Sequence, residues 1–175
     1  MISEMIKRFF AITIAMTALT LVAGAHDLML AFICDNDGDF TNLRSAPRGA
    51  VAMQLPTENT YIVDISNPLN GWWQVDFVAE ATEDEPVELV GSSTGKYWIH
   101  NSVIALSSRN YGGERWCLRA RPDGYSKAVY YYSEETLFHP VDIKGDWIKV
   151  RTTDGLHTGW IELIDLCDNP LTTCP

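Results

Sequence analysis

Four cysteines (Cys34, Cys117, Cys167, Cys174) and four histidines (His26, His100, His139, His157) are the residues of this 175-residue chain best suited to nucleophilic or metal chemistry. A cysteine enzyme needs a His brought to its Cys and a third group to orient that His. No such set is visible in the spacing. His139 falls in an expected strand and His157 in an expected hairpin, where scaffold roles suffice. A metal site would show as C-x-x-C or closely spaced Cys/His, and the sequence has neither. Glu80, Glu83, Asp84, Glu85 and Glu88 offer carboxylates for acid–base work. Nothing fixes their separation or buries them, so the run reads as a solvated hairpin extension able to touch a basic partner. Asp35-Asn36-Asp37-Gly38-Asp39 looks like the opening of a calcium loop. The EF-hand order requires Gly at the sixth place and Glu at the twelfth, and Phe40 and Ala46 stand there. An Asp/Gly turn entering a strand is the reading that remains. The chain is expected to be no enzyme and to hold no metal and no cofactor.

Binding chemistry is better represented. Tyr and Trp offer large rigid area with a polar handle. Tyr130-Tyr131-Tyr132 puts two tyrosines on one face of a strand, with Tyr125 nearby. Trp72 and Trp147 alternate away from the apolar faces Trp73/Val75 and Ile148/Val150. The candidate ligand-binding set is Tyr125, Tyr130, Tyr132, Trp147 and Trp72. Strand parity leaves open whether Trp72 and Trp147 line a groove or plug a core. Trp98 and Trp160, each followed by Ile in a last strand, are expected in the core.

The elements that must position these groups begin behind a leader. Lys7 and Arg8 precede the uncharged run Phe9–Gly24, 16 residues long, which ends in Ala23-Gly24-Ala25. A basic start, an apolar middle and an A-x-A end make residues 1–25 a signal peptide, and the run is short for a membrane span. The product is expected to be exported, periplasmic or extracellular, with no membrane span after cleavage. The formal net charge of −10 makes nucleic acid and anionic lipid poor partners. In an oxidising compartment an even cysteine count implies two disulfides, and four cysteines allow three pairings. The short separation of Cys167 and Cys174 favours that pair, leaving Cys34 with Cys117.

An internal repeat sets the architecture. Asn42–Gly49 reads NLRSAPRG and Cys117–Gly124 reads CLRARPDG, an offset of 75 that also carries Ile62 onto Leu137, Trp72 onto Trp147 and Val75 onto Val150. Trp98-Ile99 and Trp160-Ile161 stand 62 apart, so the first copy holds 13 extra residues between Val75 and Trp98. Each copy reads as short β-branched and aromatic strands broken by turn signals, among them Asn67-Pro68, Asn70-Gly71 and Asp154-Gly155. No stretch after the leader carries a long helical period. The fold class is all-β.

The order L-R-x-x-P, apolar strand, G-W-x-x-V, G-W-I resembles the bacterial SH3 domain (SH3b). Its pieces are Leu118-Arg119, Pro122, Trp147, Val150 and Gly159-Trp160-Ile161, and in the first copy Leu43-Arg44, Pro47, Gly71-Trp72, Val75 and Trp98-Ile99. The first copy departs from the pattern at Tyr97, where the family usually has Gly. The resemblance implies two tandem small SH3-like barrels, at 35–106 with an acidic insertion at 77–94 and at 114–167, joined by a linker over Leu106–Gly113. SH3-like domains often accompany papain-like cell-wall endopeptidases, but two barrels leave no room here for a catalytic domain. The expected function is a non-catalytic binding module for a peptidoglycan fragment or for a protein or peptide segment. The alternative is an acidic adaptor or inhibitor of a basic exported enzyme. Only Trp72 of the aromatic set survives at the offset in the first copy, where Ala50, Leu55 and Thr57 replace the tyrosines, so the groove is expected in the second.

Overall fold

The computed structural model describes residues 29–82, 86–91 and 96–171. The expected leader, His26, Glu83–Glu85 and Cys174 lie outside these residues. Apart from two short 3-10 turns, the regular structure is antiparallel β.

The first copy contains β2 (Phe40–Arg44), β3 (Val51–Pro56), β4 (Tyr61–Leu69), β5 (Trp72–Glu80), β7 (Tyr97–His100), a 3-10 turn (Asn101–Val103) and β8 (Ile104–Ser108). The second repeats that order with β9 (Trp116–Arg119), β10 (Ala128–Tyr132), β11 (Leu137–Lys144), β12 (Trp147–Thr152), β13 (Thr158–Glu162), a 3-10 turn (Leu163–Asp165) and β14 (Leu166–Cys167). The offset of 62 read from the two Trp-Ile pairs carries one 3-10 turn onto the other without a gap. Two strands stand outside this list: β1 (Met29–Ile33) and β6 (Val87–Val90).

One strand serves both copies. β1 pairs with β4 and β8, and β8 pairs in turn with β11 and β14. Phe32 faces Ile62 on one side and Ala105 on the other; Ser107 faces Leu137 and Cys167 in the same way. The offset of 75 takes Phe32 to Ser107, so β8 closes the first copy and occupies in the second the place β1 holds in the first. The stretch expected as a linker therefore begins inside the sheet. Leu106, Ser107 and Ser108 are buried strand residues, and only Arg109–Gly113 follow as loop and turn. The main path of pairing is continuous, β10-β9-β13-β12-β11-β8-β1-β4-β5-β7-β2-β3.

The core follows strand parity. Leu43 and Leu118, Val75 and Val150, and Ile99 and Ile161 are buried equivalents, and the fully buried Trp73 stands where the second copy has Ile148. The Trp73 indole Nε1–H donates across the repeats to the Pro140 carbonyl at 3.2 Å, satisfying a buried donor that Ile148 lacks. Trp98 and Trp160 are half-exposed, not core as expected. Ile99 pairs with Trp73 and Ile161 with Ile148, so the Ile takes the inner face and its Trp neighbour the outer one.

The repeated Arg is also explained. Each is the outward neighbour of its core Leu and folds over the following loop: Arg44 Nη1 donates to the Gly49 carbonyl at 2.8 Å, and Arg119 Nη1 to the Ser126 carbonyl at 3.0 Å. Asn70 (φ 52°) and Gly71 (φ 84°) form the two-residue turn between the paired Leu69 and Trp72, matching the Asn-Gly hairpin signal. Asn67-Pro68 does not end its strand: Asn67 (φ 47°) sits where the register shifts, and β4 runs on to Leu69. At Gly159 a Cβ would stand 2.7 Å from Leu118 Cβ and 3.0 Å from the Arg119 carbonyl oxygen, so β13 can cross β9 there only with glycine. Tyr97 replaces it in the first copy and packs, half-buried, against the core.

The insertion forms the expected hairpin, mostly exposed and anchored at its base. Phe77–Glu80 extend β5 and Val87–Val90 form β6 beside it, with Val78, Ala79 and Val90 buried. Val78 and Val90 join the core of the first copy, while Val87, Glu88 and Leu89 remain exposed.

Candidate functional site

The five aromatic residues marked by the sequence do not form one surface. Tyr131 pairs with Cys117 and Tyr132 with Trp116, so Tyr130 and Tyr132 face inward while Tyr131 faces solvent. Tyr130 stacks on His157 at 4.0 Å between ring centroids and lies 6.1 Å from Tyr132. Tyr132 is 7% exposed and meets Phe138 edge-on at 5.4 Å. Tyr125 is fully exposed in the β9–β10 loop. That loop is stiffened by the Asp123 carboxylate accepting the Tyr125 N–H at 3.0 Å and by Ser126 bonded to the Arg121 backbone. Trp72 stays in the first copy, half-buried, with His100 edge-on at 5.1 Å and the Arg44 guanidinium 5.9 Å from its ring.

Tyr132 and Trp147 both line a cavity of about 340 Å³. β9 supplies Trp116, Cys117 and Arg119 to it, with Arg115 just before that strand. The end of β13 brings Ile161 and Glu162, and the 3-10 turn brings Asp165. Glu162 lies opposite Trp147 in the ladder. Arg119 is the motif Arg of the second copy, while no sequence signal marks Arg115, Glu162 and Asp165 as its companions.

The electrostatics of this wall are set by burial. Burial pushes the Asp165 carboxyl above the usual carboxylate range; Glu162 adds to this and Arg109 opposes it. The Tyr132 phenol is pushed up mainly by burial, then by Asp165, Cys117 and Tyr130. Its hydroxyl is buried and has no hydrogen-bond partner among the described residues. The Arg115 guanidinium lies over the Tyr131 ring at 4.2 Å, a stacking that leaves its N–H edge available.

The Cys34–Cys117 disulfide expected from the count is not formed: both are free, half-buried thiols. They sit in different copies, Cys34 just past β1 and Cys117 in β9, so the cysteine count gave no guide to their separation. Cys167 is disulfide-bonded. Burial and then Asp35 push the Cys34 thiol up, against the direction a nucleophile needs. The described histidines are occupied elsewhere. His100 Nδ1 lies 2.8 Å from Ser102 Oγ, His139 Nδ1 lies 2.8 Å from the Ile104 carbonyl, and His157 stacks on Tyr130. In the Asp35–Asp39 turn, Asp35 accepts from Thr41 Oγ1 at 2.9 Å and from the Asp37 N–H at 3.2 Å.

No family model and no curated protein matches the sequence. Among solved structures, NlpC1 and NlpC2 from Trichomonas vaginalis are similar at 12% identity, with TM-scores of 0.29 and 0.30. The alignments cover 81% of this chain and 46% and 48% of those, so the chain spans about half their length.

Proposed function

We propose that this chain is a non-catalytic exported binding module of two SH3-like copies, which recognises a peptidoglycan fragment or a protein segment at the aromatic cavity of the second copy. The SH3-like reading is supported by the repeated strand order with a 3-10 turn before the last strand, and by motif residues that take equivalent places in both copies. The observation carrying the functional reading is the cavity itself, where Trp147 offers a stacking face beside Tyr132 and groups of both charges. Apolar and aromatic walls with a few convergent polar groups are what small-ligand sites offer. A non-catalytic role is supported by the raised Cys34 thiol and by the contacts that occupy the described histidines.

Sedimentation with purified peptidoglycan tests the reading. Wild type is retained above an unrelated acidic protein, and Trp147→Ala is retained about tenfold less. Equal retention of all three proteins rejects it. The net charge of −10 favours the adaptor as the second reading; salt-sensitive co-purification with a single basic partner would select it.

A further inference from the structure

We infer that the cavity of the second copy takes a zwitterionic peptide end, its ammonium held at Glu162 and Asp165 and its carboxylate at Arg115. This rests on the reading of that cavity as a ligand site and names what the site selects. Two acidic and two basic side chains converge on one cavity wall, and none meets an opposite charge within 4.0 Å. Arg121–Asp123 is the ion pair at that range among the described residues. Arg119 already spends an N–H on the Ser126 carbonyl. Arg115 uses only its face, against Tyr131, and keeps its N–H edge for a carboxylate.

The Glu162 and Asp165 carboxylates have no hydrogen-bond or ion-pair partner among the described residues, although the Asp165 carbonyl accepts the Arg109 N–H at 3.0 Å. Glu162 adds to the cost of charging Asp165, and an ammonium beside them would offset it. Glu162 is also the cross-strand neighbour of Trp147, whose ring face suits an ammonium or the methylene beside it.

Tyr132 and Trp147 add aromatic area to the same wall, against which the apolar part of a peptide end can lie. A purely cationic ligand would leave Arg115 repelling it, and a purely anionic one would face Glu162 and Asp165. A ligand bearing both charges answers the whole wall.

Calorimetric titration of the full chain with trialanine in four forms tests this: free, N-acetylated, C-amidated, and blocked at both ends. Each single block should weaken binding about tenfold or more. The two surface variants should each erase one effect: in Glu162→Gln the cost of acetylation should fall to about threefold or less, and in Arg115→Gln the cost of amidation likewise. Equal affinity for all four forms, or blocking costs that persist in the variants, overturns the charge assignment and leaves the ligand site standing. So does binding of soluble peptidoglycan fragments without binding of free trialanine. If neither binds, the ligand-site reading falls together with this one.

Discussion

Because β8 belongs to both copies, one substitution in it should lower the stability of both together. Leu106 is the sharpest probe. It is 2% exposed, lies in the core cluster, and pairs across the ladder with the fully buried Phe138 of β11. Leu106→Ala removes most of a buried side chain and leaves a cavity that two packed strands cannot easily close, which costs about 2–5 kcal/mol. For a chain of this size each kcal/mol lowers Tm by roughly 2–4 °C, so a mid-range cost of about 3 kcal/mol predicts a fall of about 6–12 °C. The informative readout is cooperativity. Amide exchange of Val63 in β4 and of Val150 in β12 should accelerate by similar factors, and the melting curve should remain one transition. Both amides lie in strands tied to β8 through a single intervening strand, β1 or β11. Two resolved transitions with only the second shifted would refute the shared strand and restore two units joined by a linker.

Three further outcomes follow from individual side chains. Tyr132→Phe should leave stability unchanged or raise it by up to about 1 kcal/mol, since it deletes an unpartnered hydroxyl, whereas Tyr132→Ala should cost about 3–5 kcal/mol by thermal melting. Thiol titration in denaturant without reductant should count two thiols, from Cys34 and Cys117; a count of zero would mean that these two are paired after all. Burial first, and then Asp76, raise the Asp64 pKa, so its contribution to stability is full below its unfolded value near 3.8 and is lost as pH rises through the higher folded value. Asp64→Asn should therefore show a smaller loss of stability than wild type between pH 3 and 7, measured by urea denaturation.

What could be read from the sequence was whatever a local signal decides. Asn70-Gly71 names its own turn because both residues must adopt positive φ. Trp73 with Val75 and Ile148 with Val150 declare an inner face because their neighbours Gln74 and Lys149 are polar. Where neighbours do not differ in polarity, parity says which residues share a face but not which face turns inward. In Tyr130-Tyr131-Tyr132 all three side chains are alike, and in Trp98-Ile99 both are apolar. In the first run Tyr132 packs on Phe138 and also lines the cavity, and in the second the Ile rather than the Trp takes the core. In the insertion the carboxylates mark the exposed part of the hairpin, and nothing local singles out Val78 and Val90 as the two valines that reach the core. The double role of β8 left no trace of identity, since MLAFI and IALSS share no residue at the offset of 75. A strand pairs through its backbone, so its side chains need only be apolar enough to be buried; that is why the repeat is visible in Leu-Arg and Trp-Ile and silent in the strand that joins its copies.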